Sequence, residues 1–406
     1  MTDYILVHDA AQLVRNADGD IDAIHDAAVA VEDGTVVATG PTADVTEDYP
    51  ASDAETAVDA SGKTVLPGYV DPHTHAAFAG DRADEFTAKL RGKTYQEISE
   101  EGGGILRTVR AVREVSQDEL VERLLGHLDA MLASGTTTAE VKSGYGLTVE
   151  AELKLLRAID EVAQQHPVDV VPTFMGAHEV PDGLDIDEYV DKVIDEQLPA
   201  VATEDLAEFC DIFCEAGVFS VEQSRRVLKA GKDHGLTPKI HADEFENLGG
   251  SKLAAEIGAA SADHLLQSTA EDAEAIAEAD VVPVMLPGTA FTLATDYTDP
   301  ELFQKAGRPV AIATDFNPNC HSTSMEFAID LACHGMRMEP AAAIRAATVV
   351  AAEAIDRTDG TGTLQDGAPG DLVVADAKDF EHVPYSFGVS TTELVVKGGE
   401  VVHDAR

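Results

Sequence analysis

The chain has 406 residues, 44% hydrophobic and 25% charged, which suits a large folded core and excludes a disordered polymer. Asp and Glu number 75 against 28 Lys and Arg, a formal net charge of −47 that is spread along the whole length. Such a surface repels nucleic acid and anionic membranes, so neither is expected as a partner, and it points to a halophilic protein whose self-repulsion is relieved by salt.

The opening MTDYILVHDAAQLV has no basic n-region, and no stretch approaches the roughly 18 uninterrupted apolar residues of a membrane span. A cytoplasmic protein is the expectation. Residues 1–66 read as short strands, with DAAVAVEDGTVVATG placing an Asp33-Gly34 hairpin turn between two apolar runs. Residues 361–406 have the same texture in GDLVVADA and TELVVKGGEVVHD. Residues 67–360 alternate instead. YVDPHTH, TTTAEVKSGYG, VDVVPTFMGAH, FCDIFCEAG, TPKIHADEF, ASADHL, DVVPVMLPG and PVAIATDFNP are short apolar runs ending in polar residues. Stretches of helical period, such as AELKLLRAIDEVAQQH, lie between them. Eight strand-then-helix units predict an α/β protein, a parallel (β/α)₈ TIM barrel, with the two chain ends outside it.

The connection after the first barrel strand, residues 76–110, is long. It holds Arg82, GKTYQEI and the triplet Gly102-Gly103-Gly104, which reads as a flexible connection, a lid or an anion nest. The triplet matches no nucleotide-binding fingerprint. Cys210, Cys214, Cys320 and Cys333 form no CxxC pair, so neither a zinc knuckle nor a redox motif is supported.

The strand ends carry the chemistry. They are His73-Thr74-His75, then Lys142, Ser143 and Tyr145, His178, His241 to Glu244, Asp263-His264, and Asp315 to Asn317. In a barrel these C-terminal ends gather at one mouth. Residues i and i+2 of a strand point to one side, so His73 and His75 face inward together. With His241 and Asp315 they make a set of three nitrogens and one oxygen that suits zinc and also iron.

This pattern resembles the amidohydrolase superfamily. The stretches PGYVDPHTH, FAGDRADEF, LRGKTYQEI, GGGILRTVRA, EVKSGYGL, TFMGAH, HADEF, ADHL and ATDFNPN resemble its imidazolonepropionase family over nearly the whole chain. The resemblance implies hydrolytic ring opening of 4-imidazolone-5-propanoate to N-formimidoyl-L-glutamate in histidine breakdown. It also implies one divalent or trivalent metal per chain, zinc or iron, and a small β-sandwich built from both chain ends. His73, His75, His241 and Asp315 are then the metal ligands. Arg82 grips the propanoate, as a guanidinium suits a carboxylate. Tyr145, His178, Glu244, Asn317, Asn319 and Cys320 contact the ligand. Glu244, His264 and Asp315 are the candidates for moving protons, with the general base left open. Many relatives have Gly and a small polar residue where this chain has Asn319 and Cys320, so contacts there are expected by backbone or side chain. Lys142 raises the question of a carboxylated lysine bridging two metals, which the mononuclear family argues against. A homodimer is an expectation of the resemblance alone. The competing readings are a hydantoinase-like cyclic amidase, an aminoimidazole or purine deaminase, and a non-catalytic barrel.

Overall fold

A computed structural model describes residues 4–16, 19–94, 97–98 and 101–406. Tyr95 and Gln96 of GKTYQEI lie outside the described residues. The N-terminal strands are β1 (Tyr4–Val14), β2 (Ala23–Glu32), β3 (Thr35–Pro41), β4 (Thr56–Asp59) and β5 (Thr64–Pro67). The barrel strands are β6 (Tyr69–Asp71), β7 (Thr136–Lys142), β8 (Asp169–Ala177), β9 (Phe209–Cys214), β10 (Thr237–Ala242), β11 (Ser261–His264), β12 (Val282–Met285) and β13 (Ala311–Ile312). The C-terminal strands are β14 (Leu372–Ala375), β15 (Thr392–Lys397) and β16 (Glu400–Asp404).

Both chain ends form one sheet in the order β16-β15-β14-β5-β1-β2-β3, with β4 pairing β1. Its central seam is β5 against β14, where Val65 faces Val374. Val7, Val29 and Val36 share a core with Val374, Leu394 and Val396, so the two wings of the sheet curl over a common interior. The β2–β3 hairpin turns at Asp33 and Gly34, both at positive φ (48° and 76°), the primed turn that matches strand twist.

The eight parallel strands run in sequence order from β6 to β13, the eight expected. Along most of these runs the charged or imidazole side chains alternate with residues packed on the outer helices. Cys210, for instance, lies in the outer core and Asp211 inside. The ring closes at β13 and β6. This last strand spans only two residues because the next amides go elsewhere. Thr314 N–H and Oγ1 donate to the Asp71 carboxylate at 3.1 and 2.5 Å, and Asp315 turns to φ 50°. Two further bonds, Asp315 N–H to His73 O (3.2 Å) and His75 N–H to Phe316 O (2.9 Å), finish the closure.

The connection 76–110 is more ordered than the sequence suggests. It contains the helices Ala83–Leu90 and Gly104–Glu114. The glycine triplet caps the second of them. Gly102 and Gly104 have positive φ, and a Cβ on Gly103 would fall 2.7 Å from Glu85 Oε1. Gly104 N–H donates to that same carboxylate at 3.1 Å. Gly104 N–H thus serves the chain's own acid, in place of the external-anion nest considered from sequence.

Candidate metal centre and cavity

His73 and His75 follow β6, and Thr74 between them turns outward to donate to Glu140 O at 2.6 Å. Both imidazoles are buried. Burial, reinforced by neighbouring cations and imidazoles, pushes both pKa values well below the usual imidazole range, so the rings are neutral. His73 Nδ1 sits 2.6 Å from Asp263 Oδ2, and His241 Nδ1 sits 3.1 Å from Asp211 Oδ2. A neutral ring that gives its one proton to a carboxylate keeps a lone pair on Nε2.

Those Nε2 atoms converge. Ligand atoms of His73, His75 and His241 all lie within 4.8 Å of one another. His241 Nε2 is 3.3 Å from His75 Nε2, and Asp315 Oδ1 is 3.6 and 3.7 Å from the Nε2 atoms of His73 and His75. Buried His73 Nε2 has no hydrogen-bond partner among the described residues. Three lone pairs and a carboxylate oxygen turned toward one point repel one another unless a cation lies between them. The donor set fits a metal ion of the zinc or iron kind.

Beneath this point lies a charged layer inside the barrel. Lys142 Nζ is 2.8 Å from Glu140 and 2.7 Å from Asp211, and Lys239 Nζ is 3.3 Å from Glu140. Asp263 is 3.9 and 4.0 Å from the two lysines. Burial alone would lower the Lys142 pKa, but Asp211, Glu140 and Asp263 outweigh it and raise it. An ammonium so held is a poor candidate for carboxylation, and it acts as an ion-pair partner to the carboxylates that orient the histidines.

Above the convergence point, one cavity is lined by His75, Arg82, Tyr145, His178, His241, Glu244, His264, Asp315, Asn317 and Asn319. His178 stacks on His75 with ring centroids 4.8 Å apart and planes within 15°, and Tyr145 lies 5.1 Å from His178. His264 Nδ1 is 3.8 Å from Glu244 Oε1. Burial, then the charges of Asp315 and Glu215, lift the Glu244 pKa well above the carboxylate range. Arg82 is buried, with Nε donating to Glu85 Oε2 at 2.7 Å. Cys320 is the exception. Its thiol points to Thr314 O at 3.5 Å and does not line the cavity, because its N–H donates to Asn317 Oδ1 (3.0 Å) and draws the backbone inward instead. Asn319 lines the cavity and its N–H also donates to Asn317 Oδ1, at 2.7 Å.

Several residues escaped the sequence reading. Thr289, following β12, donates through its hydroxyl to Asp315 Oδ2. Glu152, buried in the first turn of the helix Val149–Ala163, accepts from the amides of Gly144 (2.9 Å), Gly146 and Leu147 (both 2.7 Å), and so holds the loop that carries Tyr145. Glu215 takes the Phe245 N–H at 2.8 Å and steadies the segment after Glu244. Only Asp211 had a legible signal, a carboxylate inside the apolar run FCDIFC.

The model of the Amidohydrolase family matches residues 64–402, and that of the Imidazolonepropionase-like composite domain, bacteria, matches residues 27–51. An imidazolonepropionase of Haloarcula marismortui is 59% identical over 400 residues, covering 98% of this chain and 95% of its own. One from Halobacterium salinarum is 60% identical over 405 residues, covering 98% and 97%. One from Geobacillus kaustophilus is 48% identical over 397 residues, covering 97% and 94%. Among solved structures, an adenosine deaminase from Xanthomonas campestris with bound zinc aligns with TM-score 0.77 at 19% identity, covering 100% of this chain and 94% of its own. An atrazine chlorohydrolase from Arthrobacter aurescens complexed with zinc aligns with TM-score 0.78 at 17% identity, covering 99% and 95%. These two likenesses concern the fold.

Proposed function

This chain belongs to the imidazolonepropionases of the amidohydrolase family, and from that premise we propose which residues carry each part of the reaction. The enzyme opens the ring of 4-imidazolone-5-propanoate with water to give N-formimidoyl-L-glutamate in histidine degradation. The observation that carries the residue roles is the meeting of a three-nitrogen, one-oxygen donor set with a buried arginine in one cavity.

His73, His75, His241 and Asp315 would hold one zinc or iron ion, which when bound supplies Lewis acidity and makes water acidic near neutral pH. Arg82 binds the propanoate. Its bond to Glu85 fixes the guanidinium plane, so a carboxylate meets a prepositioned partner. Tyr145 and His178 form one wall for the ring, and Asn317 and Asn319 supply polar contacts at another. Water attacks the ring carbonyl carbon, the C–N bond breaks, and the departing nitrogen receives a proton. His264 and Glu244 are the pair we assign to that transfer. Burial holds His264 toward the neutral, accepting form and Glu244 toward the protonated, donating form; the two stand 3.8 Å apart without a hydrogen bond, and His264 Nδ1 has no hydrogen-bond partner among the described residues. Asp315 is less suited, since Thr289 and Asn317 already donate to its two oxygens.

The test follows loss of imidazolone absorbance in molar KCl, with and without chelator. H264Q and E244Q are expected to cut turnover by ~10²-fold or more with metal content retained. Unchanged turnover in both would refute their roles. Release of ammonia would favour a deaminase, because ring opening releases none. A homodimer and a cytoplasmic location are proposed on the same family footing, with light scattering to test the first. No described helix is long and apolar enough to cross a membrane.

A further inference from the structure

The helix Ala83–Leu90 begins directly after Arg82 and carries Lys89 near its end. The Lys89 ammonium is half-buried and donates to Asn319 Oδ1 at 2.7 Å. Lys154 and Lys232 likewise donate to neutral carbonyls, but those are backbone groups away from the cavity, whereas Asn319 lines it. Lys93 pairs with Glu101, Arg82 with Glu85, and Lys142 with Glu140 and Asp211. Among the described residues Lys89 has no carboxylate within ion-pair distance, although acids outnumber bases 75 to 28.

Its position gives this meaning. Asn319 lines the inner cavity with Arg82, while Lys89 lines an adjoining outer chamber. Glu244, Phe245 and Leu293 line both, so the two spaces adjoin. Asn319 is the hinge between them. Its backbone amide donates to Asn317 Oδ1 at 2.7 Å, and Asn317 Nδ2 donates to Asp315 Oδ1 at 2.9 Å. Burial, and after it the nearness of Arg82, lowers the Lys89 pKa, and Glu85 beside Arg82 offsets only part of this. Two cations that feel each other across a cavity edge are relieved by an anion placed between them.

We propose that Lys89 is a second carboxylate contact, joining Arg82 on the propanoate of the substrate, with Asn319 holding the ammonium until that carboxylate arrives. This rests on the substrate assignment above. The contact is short-range. At molar salt the screening length is about 3 Å, so a lysine acting only by distant attraction would do nothing there.

The experiment compares imidazole-4-propanoate with its uncharged primary amide by calorimetry in fixed molar KCl. The proteins are the parent enzyme, K89Q, K89R and K305Q, the last removing an exposed cation from the helix Pro300–Lys305. The parent should favour the acid. K89Q should lose about tenfold of that preference through the acid alone, as expected for one charge-assisted hydrogen bond, with amide affinity unchanged. K89R should regain most of it, and K305Q should match the parent. In turnover, K89Q should raise KM and leave kcat near the parent value. An unchanged acid preference in K89Q overturns the proposal. So does an equal loss in K305Q, or a parallel loss for the amide. Binding needs no turnover, so a parent that fails to open the imidazolone ring sinks the substrate assignment, while a Lys89-dependent acid preference still supports the contact.

Discussion

Asp263 offers the sharpest test of how the metal centre is built. Its Oδ2 lies 2.6 Å from His73 Nδ1, and its Oδ1 accepts from Ser261 Oγ at 2.6 Å. D263N can still present an amide oxygen to His73 and its NH₂ to Ser261, so it keeps the bond and loses only the charge. D263A leaves a buried N–H with no acceptor. Carboxylates behind a ligand histidine are typically worth ~10–100-fold in metal affinity. The expectation is ~10-fold weaker binding for D263N and ~100-fold for D263A, about 1.4 and 2.7 kcal/mol. The fold should survive. The layer contains Glu140, Asp211 and Asp263 against Lys142 and Lys239, and removing one acid leaves two against two. Competition with a chromophoric chelator at fixed KCl measures the affinity, and the denaturation midpoint reports the fold. Parent-like metal affinity in both variants would refute the view that this acid orients and charges the ligand.

Glu152 holds three loop amides, each worth about 1 kcal/mol net, so E152A should lose roughly 3 kcal/mol in urea unfolding and bind substrate less well. An unmoved midpoint would show that the loop needs no such anchor. T289V keeps the side-chain shape and removes the donor to Asp315 Oδ2; turnover should fall about tenfold with metal retained, and parent-like turnover would dismiss the contact. Dilution from molar KCl to ~0.1 M lengthens screening from about 3 to 10 Å, so the −47 chain should unfold on dilution as followed by circular dichroism, and a salt-indifferent signal would end the halophilic reading.

The barrel was legible because its strands announce themselves twice, by apolar runs and by the polar residue that ends most of them. Alternation was enough to put His73 and His75 on one side, although the strand itself ends at Asp71, and His241, His264 and Asp315 were singled out by their place at or just past strand ends. What stayed hidden was whatever acts through backbone. Glu152 and Glu215 look like ordinary surface acids of a halophile, since the backbone amides they bind leave no residue type behind. Glu85 was equally silent, though it joins Arg82 to Gly104. Thr289 was missed because the run DVVPVMLPG ends in Pro-Gly and its polar residue comes only afterwards. Cys320 was included by its place in ATDFNPNC, but the turn around Asn317 sends its thiol away from the cavity.

A chain of net charge −47 that binds an anion poses an electrostatic question. Distance and screening answer it. At molar salt a surface carboxylate beyond about 3 Å is largely invisible to the substrate, whereas buried groups are screened far less. The charges that decide binding are therefore those lining the cavity, and there the balance reverses. Arg82 is buried beside it, Lys89 borders it, and four donors suited to a cation converge at its floor. Of the carboxyl groups that line it, Glu244 has a pKa lifted toward the neutral form, and Asp315 belongs to the donor set. In molar salt, surface acidity and anion recognition are thus compatible, and substrate selection is then confined to contact range.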